Sequence, residues 1–235
     1  GGISLSLPTP LMNIVNGGAH ANNPLDFQEF MIMPISASSF QHAMQMGSEI
    51  FHSLKKILSE MGQSTSVGDE GGFAPNIASP EDTLSLLTKA VENSGYKVQE
   101  DIVFALDVAA TEFYKDGLYN LTNFNNPINS DEMIEYLKTL IEKFPIFSIE
   151  DPLDEDDWKG WTKLNSQIGN NVQIVGDDLF VTNSKRLEKG IELNSANSIL
   201  IKVNQIGTLT ETFNSIDIAK NNNYSYIISH RSGET

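Results

Sequence analysis

Several features that define common protein classes are missing from this sequence. Cysteine is absent from its 235 residues, which excludes disulfides and thiolate chemistry. Lys and Arg number 15 against 31 Asp and Glu, and the net charge of −16 excludes a nucleic-acid surface, because no basic stripe neutralises phosphates. No apolar run approaches the roughly 18 residues that a membrane span requires. The phosphate-cradling spacings GxGxxG and GxxxxGK are also absent.

What the sequence does contain is a β-strand pattern that ends repeatedly on a charged residue. Apolar runs close on or next to Asp107, Glu150, Asp177, Lys202 and His230, and the last four of these are 25 to 28 residues apart. One strand, one covering helix and two short loops have that length, so the spacing predicts βα units with parallel strands. In a barrel of such units the C-terminal strand ends meet at one face. We therefore expect a pocket suited to a divalent metal and a general base.

Seven strands are predicted in total. They cover residues 10–15, 27–34, 102–108, 146–150, 172–177, 198–203 and 224–230. The first two are joined by turn-forming residues without a helical period, which favours an antiparallel pair. Because a closed (β/α)₈ barrel needs eight strands, we expect an α/β fold of the incomplete TIM-barrel type, ββαα(βα)n. We expect residues 1–235 to be part of one such domain that is truncated at both ends.

The helices are predicted from apolar residues at spacings of three and four and from capping residues. The predicted caps are Ser79, Ser130 and Thr208. The residues predicted to lie on buried helix faces include Phe40, Met44, Met61, Leu209 and Phe213.

Some acidic residues have a plain structural interpretation beside the functional one. The glycine-flanked acids of residues 67–73 lie where a backbone can approach a ligand closely, but the segment is also compatible with a surface turn. Asp151 and Asp178 follow strand ends directly and are interpreted as caps of the next helices. The acidic run 154–157 is interpreted as the first turn of a helix.

Seven segments resemble the signature segments of enolases, in the same order and at similar spacing. They are NGGAHANNPLDFQEFMIMP, SVGDEGGFAPN, FALDVAATEFY, SIEDPLDEDDW, VGDDLFVTN, LIKVNQIGTLTE and SHRSGET. The resemblance covers nearly the whole chain. It implies a glycolytic lyase, phosphopyruvate hydratase, which reversibly dehydrates 2-phosphoglycerate to phosphoenolpyruvate with Mg²⁺.

The resemblance also implies which residues hold the metal and move protons. Asp107, Glu150 and Asp177 would be the ligands of Mg²⁺. Lys202 would be the base that removes the C2 proton, and Glu70 the acid that assists loss of the 3-hydroxyl. A lysine that is neutral near pH 7 requires a lowered pKa, and the positive charge of a nearby Mg²⁺ would lower it.

The remaining implied site residues surround the substrate. His20, Gln28 and Glu29 would line the pocket around the leaving group and its proton path. His230, Arg231 and Ser232 would hold the phosphate and carboxylate end.

The resemblance implies two family elements beyond these residues, a capping N-terminal domain and a C-terminal stretch with a further substrate-binding lysine. We therefore expect the 235-residue chain alone to lack hydratase activity. It further implies a homodimer or higher homo-oligomer in the cytoplasm, with a secondary cell-surface or secreted pool that binds plasminogen. Two alternatives stay open, namely an acid-sugar dehydratase or racemase of the same superfamily, and a surface-displayed binding protein.

Overall fold

The computed structural model describes residues 7–68, 70–77 and 79–231. The chain divides into two compact units, Gly1–Ala105 and Leu106–Thr235. Ser232, which the resemblance assigns to substrate binding, lies outside the described residues. Within the described ranges, no helix combines the length and the apolar character needed to cross a membrane.

The first unit begins with the antiparallel strand pair that the sequence predicts. β1 (Met12–Asn16) pairs with β2 (Glu29–Pro34), and Asn16 lies opposite Glu29 in the register. A short 3-10 helix, Gly18–His20, occupies the connection between them. β3 (Ile102–Asp107) lies next to β2 in the sheet and continues past the end of this unit.

Two helices separate β2 from β3, and they pack against each other. They are α1 (Phe40–Glu60) and α2 (Pro80–Asn93). The predicted cap Ser79 is confirmed, because its side chain accepts a hydrogen bond from the Asp82 amide.

The predicted buried face of α1 is partly wrong. Phe40, Met44 and Met61 are exposed, whereas Ala43 and Met46 are buried. Both sets have helical spacing, so the periodicity alone does not decide between them. Tertiary packing does, and it is close at Gly47 of α1, where an added Cβ would lie 2.1 Å from the sulfur of Met12.

The loop between α1 and α2 is attached to the end of β1. The Asn16 amide donates to the Phe73 carbonyl over 2.8 Å, and Phe73 itself is buried. The Gly68 amide donates to the Gly72 carbonyl over 2.7 Å, which closes a tight tip that carries Glu70. Backbone hydrogen bonds therefore hold this segment in place, and its functional role stays a prediction.

The second unit opens with a small hairpin that the sequence analysis missed. β4 (Tyr114–Lys115) pairs antiparallel with β5 (Leu118–Tyr119). Asp116 and Gly117 at its tip have φ values of 54° and 86°. An Asp-Gly pair with two positive φ angles is a strong hairpin signal, so the sequence carried the information.

Four parallel strands with covering helices make up the rest of the second unit. The strands follow the end of β3 in the order β6 (Ile146–Glu150), β7 (Gln173–Gly176), β8 (Ser198–Lys202) and β9 (Ser225–Ser229). The helices are α3 (Ser130–Lys143), α4 (Trp158–Ile168), α5 (Ser184–Leu193) and α6 (Leu209–Asn221). The α/β class and the ββαα(βα)n order are confirmed, and all seven predicted strands are present among the described residues.

One predicted cap in this unit is wrong. Asn129, not Ser130, caps α3, and it forms a reciprocal capping box with Glu132. The Ser130 hydroxyl instead donates to the Asp157 carboxylate over 2.6 Å. Asn129 takes the cap because Glu132 stands three residues after it, as a capping box requires.

The predicted buried face of α6 is also wrong, although its cap Thr208 is confirmed. Leu209 and Phe213 are 59% and 60% exposed. The helix buries Thr212 and Ser215 instead, and Ser215 donates to the Thr182 carbonyl over 2.8 Å. Buried hydroxyls are tolerated where they find such partners, so hydrogen bonds override the apolar pattern here.

The turn after β7 is fixed by one aromatic ring. Phe180 is fully buried, and a Cβ at Gly176 or at Gly190 would lie 2.5 Å or 2.4 Å from its ring atoms. Both positions therefore require glycine. The ring anchors the turn that begins at Asp177.

Candidate functional site

The second unit brings three carboxylates together at the ends of β6 and β7. Ligand oxygens of Glu150, Asp151 and Asp177 all lie within 4.8 Å of one another. Asp151 and Asp177 are buried, and Glu150 is partly buried. We refer to these three residues as the carboxylate cluster. Parallel strands place their C-terminal ends at one edge, which explains why residues far apart in sequence meet here.

Asp107, the third ligand implied by the resemblance, is placed differently. It is the last residue of β3 and is buried, but it does not belong to the carboxylate cluster. One of its oxygens accepts a hydrogen bond from the Ala109 amide over 3.1 Å. Two of the three ligands implied by the resemblance therefore lie in the carboxylate cluster, together with Asp151.

The interpretation of Asp151 and Asp178 as helix caps is wrong. Asp157 caps α4 and Asn183 caps α5. Asp151 instead accepts hydrogen bonds from the amides of Asp177 and Asp178, over 3.0 Å and 2.8 Å. The helices begin several residues after the strand ends, too far for either strand-end acid to reach their first amides.

Lys202, the last residue of β8, forms an ion pair and hydrogen bond with Asp177. Burial lowers the pKa of Lys202, but Asp177, Glu150 and Asp178 act in the opposite direction and leave it raised overall. Burial among these acids therefore does not by itself produce the neutral amine that a base requires.

The backbone of Lys202 is held as well as its side chain. Its amide donates to the Thr182 hydroxyl over 3.0 Å, and that hydroxyl donates to the Gln205 side chain over 2.9 Å. Val181 and Thr182 both have positive φ, at 45° and 55°, which is strained for β-branched residues. Such strain accumulates at functional sites, and it is invisible in a single sequence.

The electrostatics of the carboxylate cluster favour a cation. Burial raises the pKa of Asp151 well above its usual range, and the charges of Asp177, Asp178 and Asp107 add to the effect. Burial likewise raises the pKa of Asp178, with a further contribution from Asp177. Crowded carboxylates repel one another unless a cation lies between them.

The residues present fit a hard divalent cation. Such ions take oxygen ligands, and the carboxylate cluster offers three carboxylate oxygens that all lie within 4.8 Å of one another. Among the described residues, one buried oxygen of Asp177, Oδ1, has no hydrogen-bond partner. A buried acceptor left open in this way suits a metal bond. Glu150 and Asp177 therefore could hold the ion.

The first unit contains a second group of predicted residues, held by loops. His20 ends the 3-10 helix, and its Nδ1 lies 3.2 Å from a carboxylate oxygen of Glu29, the first residue of β2. Gln28 precedes Glu29, and its carbonyl accepts a hydrogen bond from the Gly17 amide over 3.0 Å. The structure thus brings His20 and Glu29 into contact, and Gln28 is next to Glu29 in the chain.

The loop that carries Glu70 packs against the His20 loop. A Cβ at Gly68 would lie 2.6 Å from the His20 carbonyl, so only glycine allows this approach. The Glu70 carbonyl accepts a weak hydrogen bond from the Asn13 side chain, at 3.5 Å. Beside these loops Asn16 is fully buried, and neither polar atom of its side chain has a partner in the described part of the chain.

The substrate-binding residues expected after β9 are described only in part. His230 is exposed, Arg231 is partly buried, and both directly follow the strand. The Ser229 hydroxyl donates to the His230 carbonyl over 2.9 Å.

Parallel βα units with acids and a lysine at their strand ends form an α/β fold whose carboxylate cluster could hold a divalent metal. The sequence matches the family described as "Enolase, C-terminal TIM barrel domain" over residues 4–235. The match spans nearly all of the chain, and the protein belongs to this family. Membership indicates an enzyme of the lyase class.

Proposed function

We propose that this chain carries the catalytic machinery of a phosphopyruvate hydratase, which interconverts 2-phosphoglycerate and phosphoenolpyruvate with Mg²⁺. The observation that carries the proposal is the contact of Lys202 with Asp177 beside Glu150. Removal of a proton next to a carboxylate requires both a base and a concentration of positive charge. The same small region of the second unit contains the lysine and the carboxylates that could hold the metal, which supports the proposal.

In the proposed mechanism Lys202 accepts the C2 proton of the substrate. Thr182 fixes its backbone and Asp177 orients its amine, so the base needs little reorganisation. When bound, Mg²⁺ supplies positive charge that stabilises the negative charge developing on the substrate carboxylate. The bound cation would also offset the negative charges of the neighbouring acids, which otherwise keep the pKa of Lys202 raised.

The residues of the first unit are assigned to the leaving group. Glu70, carried on the glycine-closed tip, donates a proton to the departing 3-hydroxyl. The proposal assigns the pair of His20 and Glu29 to the path by which that proton is replaced. Gln28 lines the pocket, and His230, Arg231 and Ser232 bind the phosphate and carboxylate end.

The test uses the full-length protein with 2-phosphoglycerate and Mg²⁺, and it follows the absorbance of phosphoenolpyruvate. The Lys202→Ala variant should lose turnover and also the exchange of the C2 proton with solvent, by about 10²- to 10⁴-fold. Lys185→Ala is the matched control, because Lys185 is exposed in the first turn of α5. Retained exchange in Lys202→Ala would assign the base elsewhere, and absence of turnover in the unmodified protein would exclude this substrate.

Homo-oligomerisation, cytoplasmic location, and plasminogen binding by a cell-surface or secreted pool stay predictions from the resemblance. Size-exclusion chromatography with light scattering tests the first. A solid-phase assay with a lysine-analogue competitor tests plasminogen binding.

A further inference from the structure

The residue after β6, Asp151, has an unusual backbone and an unusual number of contacts. Its φ is 41°, in the left-handed region, and its side chain is buried. Asp is one of the few residues other than glycine that tolerates this region, but the conformation still needs support from its surroundings.

The support comes from both neighbouring strand ends. The Asp151 amide donates to the Val175 carbonyl over 3.0 Å, and its carbonyl accepts from the Ala110 amide over 3.1 Å. Asp151 therefore links the segment after β3 and the end of β7 through its main chain alone.

The side chain of Asp151 adds two further bonds to the end of β7. Oδ1 accepts from the Asp177 amide over 3.0 Å, and Oδ2 accepts from the Asp178 amide over 2.8 Å. A carboxylate that receives two consecutive backbone amides fixes the direction of that backbone, because both bonds must keep their geometry together.

The consequence falls on Asp177, whose amide is one of the two held in this way. With its backbone fixed, Asp177 directs one oxygen to Lys202 and leaves the other buried without a hydrogen-bond partner in the described part of the chain. Asp151 thus orients, through the backbone, the Asp177 side chain that contacts Lys202 and has an oxygen open to a metal.

We propose that Asp151 is a positioning residue, which holds the backbone of Asp177 and Asp178 so that the Asp177 carboxylate is presented to a divalent cation and to Lys202. The proposal rests on the metal site proposed above. Asp151 is not itself a ligand in this proposal, although one of its oxygens lies within 4.8 Å of an oxygen of Glu150 and of an oxygen of Asp177. Each of its oxygens already receives an amide hydrogen bond, whereas Asp177 has a buried oxygen without a partner among the described residues, so Asp177 is the better placed ligand.

The first measurement is hydrogen–deuterium exchange of the full-length protein without added divalent metal, read on the peptide that covers residues 175–180. Asp151→Ala should raise exchange at this peptide at least about tenfold, because two amides lose their acceptor. Asp151→Asn should give an intermediate result, since one amide oxygen can still accept one of the two bonds. Peptides from the β8–β9 ladder, whose pairs include Ile199 with Tyr226, serve as the internal control.

The second measurement is calorimetric titration of the same variants with Mg²⁺. Asp151→Ala should weaken binding by about 10- to 100-fold, as expected for a residue that orients a ligand, and Asp151→Asn should recover part of the loss. If Asp151→Ala does not fold, Asp151→Asn alone decides the matter through the same two readouts.

The two measurements separate positioning from ligation. Exchange at residues 175–180 that stays unchanged in both variants would overturn the proposal, whatever happens to Mg²⁺ affinity. Mg²⁺ affinity that stays unchanged while exchange rises would overturn it as well. Neither readout uses 2-phosphoglycerate, so a protein that positions Asp177 in this way and lacks hydratase turnover would refute the proposed substrate without refuting the role of Asp151.

Discussion

The two units hold their predicted site residues by different means. In the second unit Glu150 and Lys202 end regular parallel strands, and Asp177 directly follows one. In the first unit Glu70 and His20 lie on glycine-rich loops that are held by close backbone contacts and a few side-chain contacts. Strand ends give a rigid frame, which suits metal ligands, whereas loops can move. The proposed function follows the same division, because it assigns metal binding to the second unit and the leaving group to the first.

The largest effect that tests this division is expected for Glu70→Gln in the full-length protein. The amide cannot donate an acidic proton, so turnover of 2-phosphoglycerate should fall by about 10²- to 10⁴-fold. Exchange of the C2 proton and Mg²⁺ affinity should both be retained, because the second unit is intact. Isotope exchange followed by NMR, together with calorimetry, measures these quantities.

Glu92→Gln is the matched control for this change, because Glu92 is exposed on α2 of the same unit. A loss of C2 exchange in Glu70→Gln would show that the first unit takes part in proton removal, and the division would be wrong.

The complementary change is Asp177→Ala, which removes the buried oxygen that lacks a partner. Mg²⁺ affinity should fall by more than about 100-fold, beyond the effect of residues that only orient a ligand. Calorimetric titration checks this, with Asp217→Ala on the exposed face of α6 as the control.

Asp107→Ala makes the same comparison sharper. Asp107 lies outside the carboxylate cluster. Its loss should therefore weaken Mg²⁺ binding by about tenfold, which is less than the effect of losing Asp177. Equal losses for the two variants would support Asp107 as a direct ligand, as the resemblance implies.

A moderate effect on stability is expected for Gly176→Ala. The added Cβ would lie 2.5 Å from the Phe180 ring, and such overpacking costs about 1–3 kcal/mol. Urea unfolding monitored by fluorescence measures the change. The double variant with Phe180→Leu should recover part of the loss, and a Gly176→Ala protein as stable as the parent would show that the ring does not anchor this turn.

The smallest expected effect concerns pH. The raised pKa values of Asp151 and Asp178 mean that the folded chain binds more protons than the unfolded chain between the unfolded and folded pKa values. Their contribution to stability is therefore fully present below the unfolded pKa and is lost as pH rises through the folded pKa.

Mg²⁺ relieves the repulsion among these ionised acids, so it should raise the melting temperature more at pH 7.5 than at pH 5. Thermal scans with and without Mg²⁺ at both pH values test this, and Ca²⁺-free buffer with added Na⁺ controls for ionic strength. If the increase in melting temperature caused by Mg²⁺ does not depend on pH, metal binding is not linked to the ionisation of these two carboxyls.

Much of the second unit could be predicted from the sequence because its signals are local. A buried parallel strand is a short apolar run, and the residue that ends it is visible beside it, so Glu150, Asp177 and Lys202 were found at their observed positions. The roles of these residues came from the resemblance to enolases, because the spacing of apolar residues carries no information about chemistry.

Side-chain direction and partner choice were decided only by the folded chain. Asp151 resembles a helix cap in sequence, yet it binds the amides of Asp177 and Asp178, 26 and 27 residues away. Likewise, α6 exposes Phe213 and buries Ser215, because a carbonyl from another segment satisfies the hydroxyl. Such contacts depend on which distant backbone groups arrive at a position, and the local spacing of residues along the chain does not record that.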